Sequence, residues 1–165
     1  MRILTLLIMA VPVIAWSADS PDQSFFKHAA EGGMAEVEAG NLAQSKGSSA
    51  AVKDFGAMMV KDHTAANDKL KSIATSENIS LPSSPSTGQM AAKAKLEVLS
   101  GATFDKAYIK GQIKAHKQTV ALFKKEVASG QDAQAKSFAQ ETLPTIRTHL
   151  KKIREIAAEA GVAVK

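Results

Sequence analysis

The chain has 165 residues, none of them cysteine, a net charge of +5 and 45% hydrophobic residues. Without thiols it has no disulfide, thiolate zinc site, cysteine nucleophile, iron–sulfur cluster, covalent haem or cysteine-linked lipid anchor. Its basic residues alternate with acids, as in Lys151-Lys152-Ile153-Arg154-Glu155, and it has one Tyr and one Trp, a pattern of solvated helix faces that offers nucleic acid no stacking platform.

The chain opens as an export signal. Met1-Arg2 is a short basic start, 3–14 is apolar apart from Thr5, and Ala15-Trp16-Ser17 fits a cleavage site after Ser17, with Ala18 as the alternative. The apolar run is short for a bilayer span, and nothing in the mature chain is long and apolar enough to replace it. The expected organisation is therefore a signal peptide over 1–17 and one domain over 18–165, located in the periplasm.

The mature sequence is rich in Ala, Lys, Gln, Glu and Leu, which favours helix almost throughout. The first long helix is predicted over 21–46, with Ser20 as N-cap and Pro21 at the first helical position. Its buried stripe reads Phe26, Ala29, Gly33, Glu36/Val37, Gly40, Ala43. Gly47 ends it, and Ser48 or Ser49 caps a second helix over 50–78, with the stripe Val52, Phe55, Met59, Asp62/His63, Ala66, Leu70, Ile73.

Pro82 and Pro85 make the next stretch non-helical. Ser86 then opens a short helix over 89–100, closed by Gly101. Thr103 caps a third long helix reaching 129, with Phe104 and Tyr108 at its entry and Ile109, Ile113, His116, Val120, Phe123, Val127 on its stripe. Asp105, in its first turn, reads as a cap favoured by the helix dipole. Ser129-Gly130 turns into a fourth long helix over 131–160, with the stripe Ala135, Phe138, Thr142, Thr145/Ile146, His149, Ile153, Ile156/Ala157. Pro144 lies inside it, where a kink or local break is expected.

Two tight turns and one long connection make two antiparallel hairpins. The predicted fold is all-α: a ferritin-like antiparallel four-helix bundle whose long connection between the second and third long helices carries a short extra helix.

Four polar residues interrupt the apolar stripes, one per long helix: Glu36, His63, His116 and His149. At 1.5 Å per residue, Glu36 lies about 3 Å from the middle of its helix, His63 and His116 within roughly 1 Å and His149 about 5 Å. In an antiparallel bundle these heights coincide. Imidazole nitrogen and carboxylate oxygen suit Zn, Fe, Mn, Cu or Ni, so the four are candidate ligands of a single transition metal ion, with Asp62 as an outer acceptor for a histidine on a neighbouring helix. The alternative is a polar core network that sets helix register and holds no metal. His28 falls off the stripe. Met34, Met58, Met59 and Met90 read as core filling.

Phe26, Ala29-Ala30, Gly32-Gly33-Met34-Ala35-Glu36-Val37, Met59-Val60-Lys61-Asp62-His63, Phe104-Asp105-Lys106-Ala107-Tyr108, His116 and Leu143-Pro144 with His149 resemble the bacterial domain-of-unknown-function family 4142 over essentially all of the mature chain. The resemblance implies a ferritin-like fold and an exported location, and it carries no reaction. Ferritin-like relatives with di-iron centres use Glu-x-x-His on two helices. Here the residues three before His63, His116 and His149 are Val60, Ile113 and Ile146. A standard di-iron centre is thereby disfavoured, and a histidine-rich single-metal site is the natural variant. Two functional expectations follow: an exported bundle binding one transition metal, or a non-enzymatic envelope or stress-related protein whose polar layer is structural and whose surface, or a second copy, meets a protein partner.

Overall fold

The structure, a computed structural model, describes residues 21–163. The signal segment 1–17, its cleavage site and Ser20 lie outside the described residues. Five helices follow in order, α1 (Pro21–Lys46), α2 (Ala50–Ser76), α3 (Thr87–Glu97), α4 (Gly101–Ser129) and α5 (Ala133–Glu159), with no strand among the described residues. No helix among them is long and apolar enough to cross a membrane.

The helix ends follow local chemistry. Ser49 caps α2 by accepting the Val52 amide. The helix stops at Ser76, two residues short of expectation, as Asn78 turns left-handed (φ 57°). Ser86 and Gln89 form a reciprocal capping box at the start of α3. Gly101, at φ 61°, takes the left-handed conformation that favours glycine and swings the chain from α3 into α4. Thus α4 starts two residues before the expected Thr103 cap. Asp132 caps α5 by accepting the Ala135 amide at 2.7 Å. α5 runs through Pro144 without a break.

Two carboxylates tie the hairpins together. Asp105 does not cap its own helix, as its first-turn position suggested. Its carboxylate accepts the Ser48 and Ser49 amides at 3.0 and 2.9 Å and the Ser48 hydroxyl at 2.6 Å, so it caps the start of α2 from across the bundle. Asp22, in the first turn of α1, accepts the Gln131 and Asp132 amides at 2.8 and 3.2 Å, before α5. Each hairpin's first helix caps the turn of the other.

Two apolar clusters fill the ends of the bundle. One joins Phe25, Phe26, Leu70, Phe123, Phe138 and Leu143. The other joins Val52, Phe55, Met59, Phe104, Tyr108, Ile109 and Ile153. The start of α1 thus meets the end of α4 and the start of α5. The four long helices run up, down, down, up, and the long connection carries the chain back along the bundle. α3 lies beside α1, held by Lys93–Glu38 (3.3 Å) and by Lys46 Nζ donating to the Glu97 carbonyl (2.7 Å). Each fully buried Phe contributes about 1.5–3 kcal/mol. α1 and α2 approach closely at Gly40 and Gly56, where a Cβ on either would meet the other's carbonyl oxygen at 2.6 or 2.7 Å. Between the two apolar ends lies a polar level.

Candidate metal centre

His63 on α2, His116 on α4 and His149 on α5 sit on the inward stripes of their helices, 9, 1 and 2% exposed. Their ring centroids are 5.9 Å (His63–His116), 5.5 Å (His63–His149) and 5.6 Å (His116–His149) apart. One nitrogen from each ring lies within 4.8 Å of the other two. Phe55 closes one side, its ring 6.1 Å from His116 and 6.4 Å from His149.

Hydrogen bonds assign the nitrogens. His116 Nδ1 pairs with the Gln112 carbonyl at 3.0 Å, and His149 Nε2 pairs with Asp62 Oδ2 at 2.9 Å. With those nitrogens donating, the lone pairs fall on His116 Nε2 and His149 Nδ1. These two atoms and His63 Nε2 are buried without a partner. A carbonyl or carboxylate holding one imidazole nitrogen while the other is free is the arrangement that fixes the tautomer of a metal-ligating histidine.

The electrostatics disfavour the charged forms of His63 and His149. Burial, aided by His116 and His149, lowers the His63 pKa to about 3. Burial also lowers that of His149, and the Asp62 carboxylate offsets part of the effect. Protons therefore compete weakly for the lone pairs of His63 and His149.

Glu36 reaches the same level from α1 but stands outside the trio. Its Oε1 is 3.9 Å from His116 Nδ1, the nitrogen already bonded to the Gln112 carbonyl. Burial pushes its carboxyl up, partly offset by His116 and by a hydrogen bond with the Gln112 side chain. Glu36 and His63 both line a void of about 30 Å³, room for one water. His28 is exposed and pairs with Glu31 at 3.3 Å.

Several buried polar residues of α4 are not singled out by the stripe pattern. Gln112 is 4% exposed and lies one turn before His116, so its place on the stripe was a usable signal. Tyr108, whose place in the sequence marks only the entry of its helix, is fully buried with its hydroxyl unpartnered. Glu126, 4% exposed at the far end of α4, gave no signal, because its neighbour Asp22 is remote in sequence.

Comparison with known proteins agrees with the architecture. A family model described as "Domain of unknown function (DUF4142)" matches residues 14–156. No curated protein matches. The crystal structure of a DUF305 protein from Streptomyces coelicolor, described there as presumptively secreted, superimposes with a TM-score of 0.75. The match covers 90% of this chain and 99% of that one at 16% identity. At that identity the likeness is one of fold.

Proposed function

The chain belongs to the DUF4142 family, and from that premise we propose that it is an exported, periplasmic helical bundle that holds one transition metal ion between His63, His116 and His149. The observation that carries this reading is the trio of unpartnered, buried imidazole nitrogens. A buried polar atom without a partner costs about 1–3 kcal/mol, and three together call for a common partner. Three imidazole ligands suit Zn or Cu best, with Fe and Mn less favoured in the absence of a carboxylate ligand.

A tetrahedral ion at 2.0–2.1 Å from each ligand holds nitrogens about 3.4 Å apart. Small rotations of the three rings supply the difference from the present spacing. Asp62 would orient His149, and the Gln112 carbonyl would orient His116. Glu36, expected from sequence among the ligands, would serve through His116 or through a water in the adjoining void. Three protein ligands leave a fourth position open, where a bound ion supplies Lewis acidity to a water or small ligand.

The competing reading, a polar layer that only fixes register, draws on the same Asp62–His149 and Gln112–His116 bonds and on a buried water beside His63, but it supplies no protein partner for the three nitrogens. Elemental analysis of purified protein, with thermal unfolding on added Zn²⁺ or Cu²⁺, separates the two. We expect about one ion per chain and a raised Tm, both lost in the His63→Ala/His149→Ala variant. A Tm unmoved by either ion, or metal retained by the double variant, refutes the centre.

A further inference from the structure

A second site opens on the other side of Glu36. α1, α3 and α4 enclose a groove of about 460 Å³, within the range of small-molecule pockets. Its buried polar lining residues are Glu31, paired with His28, and Glu36, Gln112 and Tyr108, at 8, 7, 4 and 0% exposure. The last three each carry a polar atom without a partner: Glu36 Oε2, Gln112 Oε1 and the Tyr108 hydroxyl. All three can accept a hydrogen bond, and the Gln112 oxygen can only accept.

The glycines of the groove are as informative. A glycine inside a helix costs about 0.5–1 kcal/mol relative to alanine. At Gly33, Gly40 and Gly56 a close neighbour explains that cost. Gly111 on α4 has no atom within 4 Å of a built Cβ, and Gly32 on α1 meets only the end of Gln89 at 4.0 Å. Both line the groove. Packing does not require them to lack a side chain, and their effect is to keep the groove open. Its charge is also distinctive: of its three acids, Glu31 pairs with His28 and Glu38 with Lys93, which leaves Glu36 without a cationic side chain of the groove beside it.

We propose that this groove binds a small organic ammonium compound, its cationic head on Glu36, Gln112 Oε1 and the Tyr108 hydroxyl and its short apolar body along Ala35, Ala92 and Ala115. An ammonium brings the donors that three unpartnered acceptors lack, and its charge offsets the cost of a buried carboxylate. A carboxylate ligand would meet three acidic side chains.

Titration calorimetry with n-butylammonium and 1,4-diaminobutane, against butyrate as control, tests the site on the purified protein. Saturable binding of the amines and none of butyrate is expected. Glu36→Gln should weaken amine binding at least tenfold. Gly111→Leu should abolish it by placing a side chain in the groove, and the variant should stay folded, since a Cβ at that position meets no neighbour. The His63→Ala/His149→Ala variant should bind the amines as the natural chain does, so this site and the metal centre fail or stand separately. No saturable amine binding, equal binding of butyrate, or unchanged binding in a folded Gly111→Leu variant overturns the proposal.

Discussion

Single side chains here set opposing responses to pH. His63 is held neutral, with a pKa near 3 against an ordinary 6.5. Between those values an unfolded chain takes up a proton that the folded ring refuses, so the metal-free fold loses about 1.4 kcal/mol per pH unit as pH falls through that window. Glu126 acts in the other sense. Burial and the neighbouring Asp22 raise its pKa to about 7 from 4.5. Its contribution is complete below pH 4.5 and is lost as pH rises toward 7. The Asp22 carboxyl itself, which burial pushes up, ends below its usual value because the Gln131 and Asp132 amides hold it ionised. Glu126→Gln should therefore gain in Tm over the natural chain, and the gain should grow from pH 4.5 to pH 7. Parallel Tm profiles for the two proteins would show that Glu126 is not held protonated by the fold.

At the scale of helices, the α1–α2 contact depends on what two residues lack. A Cβ at Gly56 would stand 2.7 Å from both the Ala43 Cβ and the Gly40 carbonyl oxygen, and a backbone carbonyl cannot rotate aside. Gly56→Ala should therefore cost about 1–3 kcal/mol, despite the gain in helix propensity. Gly111→Ala, in open space, should gain about 0.5–1 kcal/mol. Chemical denaturation of both variants gives the comparison, and equal effects would mean that the crossing is looser than described.

The same elements show what could be read in advance. Pro21, Gly47 and Gly130 mark helix ends by local backbone chemistry, so the boundaries of α1 and the two tight turns were legible. The stripes placed His63, His116 and His149 on inward faces, and a helix rises by a fixed amount per residue, so their common level was legible too. Height does not fix which way a side chain turns around the bundle axis. Glu36 reaches that level and ends beside the outer nitrogen of His116. The partners of Asp105 and Asp22 depend on how the hairpins dock, a relation between segments far apart in the chain that no local pattern encodes.

On the scale of the whole molecule, the reciprocal caps join the hairpins. Removing one should loosen the opposite turn. Asp105→Ala should speed hydrogen exchange at the Ser48 and Ser49 amides, Asp22→Ala should do so at Gln131 and Asp132, and each should cost about 0.5–2 kcal/mol. Unchanged exchange at the opposite turn would show that these bonds do not hold in solution. The pattern behind them recurs along the chain: Asp22, Gly47, Ser49 and Phe55 are repeated, one constant interval later, as Asp105, Gly130, Asp132 and Phe138. In this spacing and in the reciprocal caps the second hairpin repeats the first. At that same interval His63, His116 and His149 correspond to Ile146, Gly33 and Ala66, so the polar level is where the likeness fails. An exact two-fold pair presents every side chain in duplicate and so can offer imidazoles only in even numbers. Three of them at one level require a single chain with unequal halves.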